Sequence, residues 1–174
     1  RNRVVEAKDK REVYSIAAKL NTAIETNRLV PAYQVIVDLK TRKPVAEEAL
    51  ARLIDESGNM IAAADFISAA MELQLTHLVD YQIIKQTMNH CAINIADGGQ
   101  DIAHFVNISA DLLLHQDLIL DLFAEAQAAC ILCGVDMGPT KPLVLEITER
   151  QLLGDANAVK AKLAPFIDFG MRLA

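Results

Sequence analysis

Apolar residues recur along this chain with two different periods, and the alternation between them outlines a run of strands and helices. Ile16, Ala17, Leu20, Ala23 and Ile24 repeat at helical spacing, and Asn27 stands where that helix is expected to stop. The stretch from Ala32 to Leu39 is dense in β-branched residues and predicts a strand. The polar turn Lys40-Thr41-Arg42-Lys43-Pro44 leads directly into a second apolar run, Val45 to Leu53, so the two read as an antiparallel hairpin. Past the loop from Asp55 to Asn59 the period is helical again, from Ala63 to Leu73 and from Leu78 to about Asn94.

A loop over Asp97 to Asp101 precedes a short strand, His104 to Ile108, and then a helix for which Ser109 or Asp111 is the expected N-cap. A further helix is expected from Asp117 to Cys133, and a strand from Leu143 to Thr148. Asp155 is the expected cap of a last helix ending near Gly170, which Pro165 should kink or split. Met171 to Ala174 reads as the start of another strand. Alternating strands and helices with apolar strands predict an α/β fold, a parallel sheet covered by helices. Neither a G-x-G-x-x-G nor a G-x-x-x-x-G-K pattern follows the early strands, which leaves a barrel as the main expectation. A complete (β/α)₈ barrel takes roughly 250 residues, so four or five strands form an incomplete one.

Composition narrows the function classes. The 174 residues contain 17 basic and 23 acidic side chains, a net charge of −6. That balance argues against capture of DNA or RNA polymers through a basic surface. Half the residues are hydrophobic (52%) and 23% are charged, as in a folded domain. No apolar run approaches the ~20 residues of a bilayer span, and three cysteines make no disulfide framework, so the expected setting is cytoplasmic. Residues 1–12 alternate charges without apolar periodicity and read as a linker from an upstream element. The barrel portion is assigned to residues 13–174.

Three strands carry an oxygen-bearing side chain in an otherwise apolar run: Glu48, Asn107 and Glu146. A carboxylate buried in a sheet costs several kcal/mol unless it is paired, neutralised or bound to a metal. Three such residues at the C-terminal ends of separate strands point to one shared site. Two carboxylates and an amide oxygen are hard donors that suit Mg²⁺, Mn²⁺ or Ca²⁺ better than zinc. Period two also places Glu48, Leu50 and Arg52 on one face, and an arginine beside a cation site suits a phosphate group.

These residues fall in familiar motifs. Glu48-Ala49-Leu50, inside Val45 to Arg52, resembles the signature of the EAL domain family, bacterial phosphodiesterases that open cyclic di-GMP. Tyr33 to Val37 resembles that family's first strand, Asn107-Ile108-Ser109 its asparagine motif, and Leu145 to Glu149 its second glutamate motif. Asp65-Phe66-Ile67 lies between the second and third, and the resemblance extends from Leu29 to Ala174.

The resemblance implies a TIM-like barrel whose first strand is antiparallel to the rest. It also implies Mg²⁺ or Mn²⁺ held by Glu48, Asn107 and Glu146, and hydrolysis of cyclic di-GMP to linear pGpG. Arg52 would contact the substrate phosphate, Leu50 a guanine face, and Gln34 would lie near the ligand. Glu149 would support the loop after the fifth strand. The chain departs from the family pattern at Val35, Ala51 and Leu53, where proline, leucine and tryptophan are usual, and no ligand oxygen is lost.

The family's paired aspartates fall beyond Ala174, so these residues alone are expected to be inactive and to self-associate. Catalysis is expected of a longer parent protein, fed by an upstream sensor or GGDEF-type domain and membrane-anchored, if at all, through other domains. The alternatives are a non-catalytic module that binds cyclic di-GMP or dimerises to signal, and a purely structural or dimer-forming fragment. Cys130 and Cys133 lie in an apolar helical stretch and are expected to pack. His77, His90, His104 and His115 share no ligand spacing, and Ser109 reads as a cap, not a nucleophile.

Overall fold

A computed structural model of the chain describes residues 2–98, 102–133, 142–147 and 156–174. Helix α1 (Asn2–Glu25) precedes the antiparallel pair β1 (Leu29–Val37) and β2 (Pro44–Ile54). A short strand β3 (Met60–Ala62) follows, then helices α2 (Ala63–Glu72) and α3 (Thr76–Ala96). Strand β4 (Ala103–Asn107), a single 3₁₀ turn at Leu112–Leu114, helix α4 (Gln116–Cys133), strand β5 (Leu143–Glu146), helix α5 (Ala156–Asp168) and strand β6 (Arg172–Leu173) complete the order. The strands lie in the order β1-β2-β4-β5-β6, with β3 also paired to β2. β2/β4, β4/β5 and β5/β6 are parallel. The result is the expected α/β arrangement, an open TIM-like barrel wall whose first strand runs against β2, β4, β5 and β6, as does the short β3. Its accessible surface, 10675 Å², exceeds the roughly 8,400 Å² of a compact monomer of this mass, as an open sheet with one face less covered than the other should.

Local chemistry sets the boundaries. Asn27 adopts φ 55, and Asn27 N–H and Arg28 N–H donate to the Ile24 and Ala23 carbonyls, closing α1 in a left-handed cap. Gln74 and Gly170 end α2 and α5 in the same way. In the β1–β2 hairpin the Asp38 carboxylate accepts from Lys40 N–H, Thr41 N–H and the Thr41 hydroxyl, the side-chain mimic of a turn.

Residues 2–12 are helical and continuous with the rest of α1, because Glu, Lys, Arg and Ala are strong helix formers even without an apolar stripe. Three expectations need correction. The helix expected after Ser109 is one 3₁₀ turn: the Ser109 hydroxyl accepts Leu112 N–H at 3.3 Å, but Asp111 does not cap it. Pro165 lies inside α5 without splitting it. It stands three residues before the end of the helix, where the ring forgoes only one intrahelical bond. Glu48 is the fifth of eleven residues in β2, not at its end, because β2 runs on past its parallel contact with β4 to pair with β1 and β3. Asp155 lies outside the described residues.

Register divides the sheet into two faces. Ala49, Val106 and Leu145 are aligned across β2, β4 and β5 and are almost fully buried. They share their face with Leu143, and α3 and α4 pack over this side of the fold. Glu48, Phe105 and Val144 are aligned on the opposite face. There Glu48, Phe105 and Glu146 are only half-buried and Gln34 and Asn107 are exposed. This second face would be the interior of a closed barrel.

Candidate functional site

The less covered face carries the polar residues singled out in the sequence. Asn107 of β4 stands opposite Glu146 of β5, and the Asn107 side-chain amide donates to Glu48 Oε1 across 3.5 Å, a long bond. Partial burial and then the charge of Glu48 push the Glu146 carboxyl above its usual range. Two carboxylates and an amide from three parallel strands therefore converge, and the two acids repel each other. Gln34 is paired in register with Glu48 and is exposed, in line with a position near the site.

Leu50 and Arg52 continue along β2 on the same face by the period of two. Leu50 and Asn107 help line a cleft of about 380 Å³ between β2, α2, α3 and the segment 109–111. Arg52 stands four residues from Glu48, about 13 Å along the strand. Its Nη1 donates to the Ala51 carbonyl at 2.9 Å, and it has no carboxylate partner among the described residues. Glu149 lies outside the described residues.

The connection that presents Asn107 is tied to α3 from both sides. Asp80 of α3 accepts Ser109 N–H at 2.7 Å, and desolvation pushes its carboxyl up to about 6 against the opposing Ser109 bonds. In the other direction Asp111 accepts the Thr76 hydroxyl at 2.7 Å and His77 N–H at 3.0 Å, so it caps α3 instead of its own turn. Burial works to raise the Asp111 carboxyl, but these bonds outweigh it and hold the group below the usual carboxylate range. Sequence reasoning passed over Asp80, which carries no motif.

With this geometry in place, the comparison with known proteins is direct. The family model described as "EAL domain" matches residues 17–174. The chain belongs to the EAL domain family. It is 30% identical over 158 residues to the signaling protein YkoW of Bacillus subtilis (strain 168), covering 89% of this chain and 18% of that protein. It is 31% identical over 103 residues to the probable cyclic di-GMP phosphodiesterase PdeI of Escherichia coli (strain K12), covering 58% of this chain and 12% of that protein. The chain thus spans a fifth or less of the length of these two relatives. In fold it is similar to the FimX EAL domain from Pseudomonas aeruginosa bound to c-di-GMP, with a TM-score of 0.73 at 23% identity, over 91% of this chain and 60% of that one.

This EAL domain also contains clusters that the sequence reading missed. On the covered face, Glu47 Oε1 lies 2.8 Å from His104 Nδ1 and 2.9 Å from His90 Nε2. Tyr33 stacks on the His90 ring at 4.0 Å, and burial first, helped by the Glu47 charge, raises the Tyr33 phenol to about 12. Near the cleft, His77 and His115 stack at 3.8 Å beside Asp111. Both trios have the side chains to hold a metal ion. The histidines, whose spacing along the chain matches no ligand pattern, meet in two pairs, each joining a histidine of α3 (His77 or His90) to one from outside it (His115 or His104). Cys130 is half-buried and lines a small apolar cavity with Cys91 and Met88. No described helix is long and apolar enough to cross a membrane.

Proposed function

We propose that the domain belongs to a divalent-metal-dependent phosphodiesterase that opens cyclic di-GMP to linear pGpG, with Glu48, Asn107 and Glu146 as the Mg²⁺ or Mn²⁺ ligands. The observation that carries this reading is the convergence of two mutually repelling carboxylates and an amide on one sheet face. A raised carboxyl beside a second carboxylate favours a hard cation, because the ion removes the repulsion that a bare pair endures. Asn107 fits after rotation of its amide, which turns the oxygen towards Glu48 and Glu146 in place of the nitrogen. When bound, such an ion supplies positive charge and Lewis acidity at the scissile phosphate.

The chain's own residues bind and orient. Arg52 offers a guanidinium fork to a phosphate oxygen, and Leu50 an apolar contact to a base in the cleft. Gln34 flanks Glu48, and Asp80 holds the backbone after Asn107 in position. Glu149 is assigned to supporting the loop beyond β5. The names of PdeI and of the FimX complex support the substrate class. To the same proposal belong a cytoplasmic setting and a parent protein with an upstream sensor or GGDEF-type domain, for which residues 1–12 would be the connecting segment. Self-association of the open sheet also belongs to it, through the edge near Met171 to Ala174 or by exchange of elements between chains.

The test is turnover of cyclic di-GMP by the full-length protein with Mg²⁺ or Mn²⁺. Glu48→Gln keeps the size of the side chain and removes its charge, and should lower turnover by roughly 10²- to 10³-fold, the scale of losing a main electrostatic stabiliser. Full activity in that variant would overturn the ligand assignment. Tight binding of the nucleotide by the unmutated protein without turnover would favour the binding-only alternative.

A further inference from the structure

Glu47, His90 and His104 form a compact donor set on the sheet face opposite the one considered above. Glu47 and His104 are register partners on β2 and β4, and both are buried, at 8% and 1% exposure. His90 reaches them from α3, its side chain 41% exposed. The three donor atoms lie within 4.8 Å of one another. Each imidazole orientation is fixed by more than the shared carboxylate: Tyr33 stacks on His90, and His90 meets His104 edge-on at 5.7 Å.

We propose that Glu47, His90 and His104 are a second metal site that takes a borderline transition ion such as Zn²⁺, separate from the hard-cation site on the opposite face. Two imidazoles and one carboxylate match the ligand types zinc prefers, and three protein ligands leave one position open to water. Bond lengths of about 2.0–2.1 Å in a tetrahedron keep donor atoms about 3.3 Å apart, so the observed 2.8 and 2.9 Å contacts must open by only about half an ångström. In the metal-free cluster His90 Nε2 and His104 Nδ1 each donate a proton to the carboxylate, which can only accept. On binding, the ion takes the place of those two protons, and each neutral ring carries its proton on the other nitrogen. The exposed edge of His90 provides the entry path, and the ion would tie β2 and β4 to α3.

Zn²⁺ titration of the full-length, chelator-treated protein, followed by the ring-proton NMR signals of its histidines, tests this site separately from the oxygen-only one. Zinc should shift the His90 and His104 signals and raise the melting temperature, and Glu48→Gln should leave those shifts in place. His90→Ala puts a good helix former at a partly exposed position, so it should fold, as circular dichroism will check. It should weaken zinc binding at this site by at least roughly 10- to 100-fold, the loss seen when even an outer partner of a metal ligand is removed. His90→Cys supplies another zinc donor and should restore part of the affinity. Absence of zinc-induced shifts at His90 and His104, or zinc binding at this site unchanged by His90→Ala, would overturn the proposal.

Discussion

Glu47 and Glu48 are neighbours in β2, yet the strand sends them to opposite faces of the sheet and into opposite electrostatic situations. Glu48 faces another carboxylate across β4, with one long contact from an amide. Glu47 faces two imidazoles that both donate to one of its oxygens. The first environment opposes charge and the second satisfies it. Repulsion left in place on an open face has no structural use and is what the proposed cation would relieve, whereas the donors around Glu47 stabilise the fold by themselves.

Parallel substitutions should therefore behave differently, and the largest expected stability effect is at the buried glutamate. Glu47→Gln can keep its amide oxygen as acceptor for both imidazoles, which share one carboxylate oxygen, but it removes the charge from two buried hydrogen bonds at once. Unfolding by urea should show a loss of about 2–3 kcal/mol, the scale of two buried bonds that each lose their charge assistance. Glu48→Gln should cost no stability, because it removes a repulsive partner, and an NMR titration should show the Glu146 carboxyl moving back towards its ordinary range. Equal losses in the two variants would erase the distinction between the faces.

Helix α3 serves both regions from the covered side, with His90 beside Glu47 and Asp80 at the cleft behind Asn107, so the next test separates their contributions by pH. The Asp80 carboxyl sits at about 6 against an ordinary 3.8. The folded state thus holds this proton more tightly than the unfolded one. Its contribution to stability is fully present below about pH 4 and is lost as pH rises through 6. Asp80→Asn removes the cost of burying the charge. It should raise stability at pH 7.5 by about 2 kcal/mol, under a ceiling of roughly 3 set by the shift, and change it little at pH 4. Melting curves of both proteins across that range check the crossing. A constant offset at every pH would mean that Asp80 acts through packing alone.

The open face was readable in the sequence because each of its residues announces itself: an acid or amide inside an apolar strand is costly enough to need a reason, and period two assigns the face. The Glu47 trio was not, because a sequence shows which residues alternate within one strand but not the register between strands. His104 becomes a partner of Glu47 only once β4 is set beside β2, and His90 only once α3 lies across both. β3 escaped for a simpler reason, since its three residues run into the apolar start of α2. The β1–β2 hairpin was legible from its turn, where Asp38 and the residues after it specify the reversal locally.

Arg52 provides the smallest and last test, because it asks how far the open face extends as one site. The covered cluster is compact, its donor atoms within 4.8 Å, whereas Arg52 stands about 13 Å along the strand from Glu48. A ligand that engages both must be elongated, with one negative group at the Glu48 end, another near Arg52 and an apolar segment over Leu50 between them. The guanidinium is half-buried and holds only a neighbouring carbonyl, at 2.9 Å, so its removal should leave the fold intact. Arg52→Ala should weaken binding of cyclic di-GMP to the full-length protein by about 1.5 kcal/mol, the low end of a charge-assisted bond and roughly tenfold in Kd. Calorimetry reads that loss directly, and the penalty should shrink at high salt because the side chain is partly in water. Unchanged affinity would confine the nucleotide to the Glu48 end of the face and leave the arginine with a structural role.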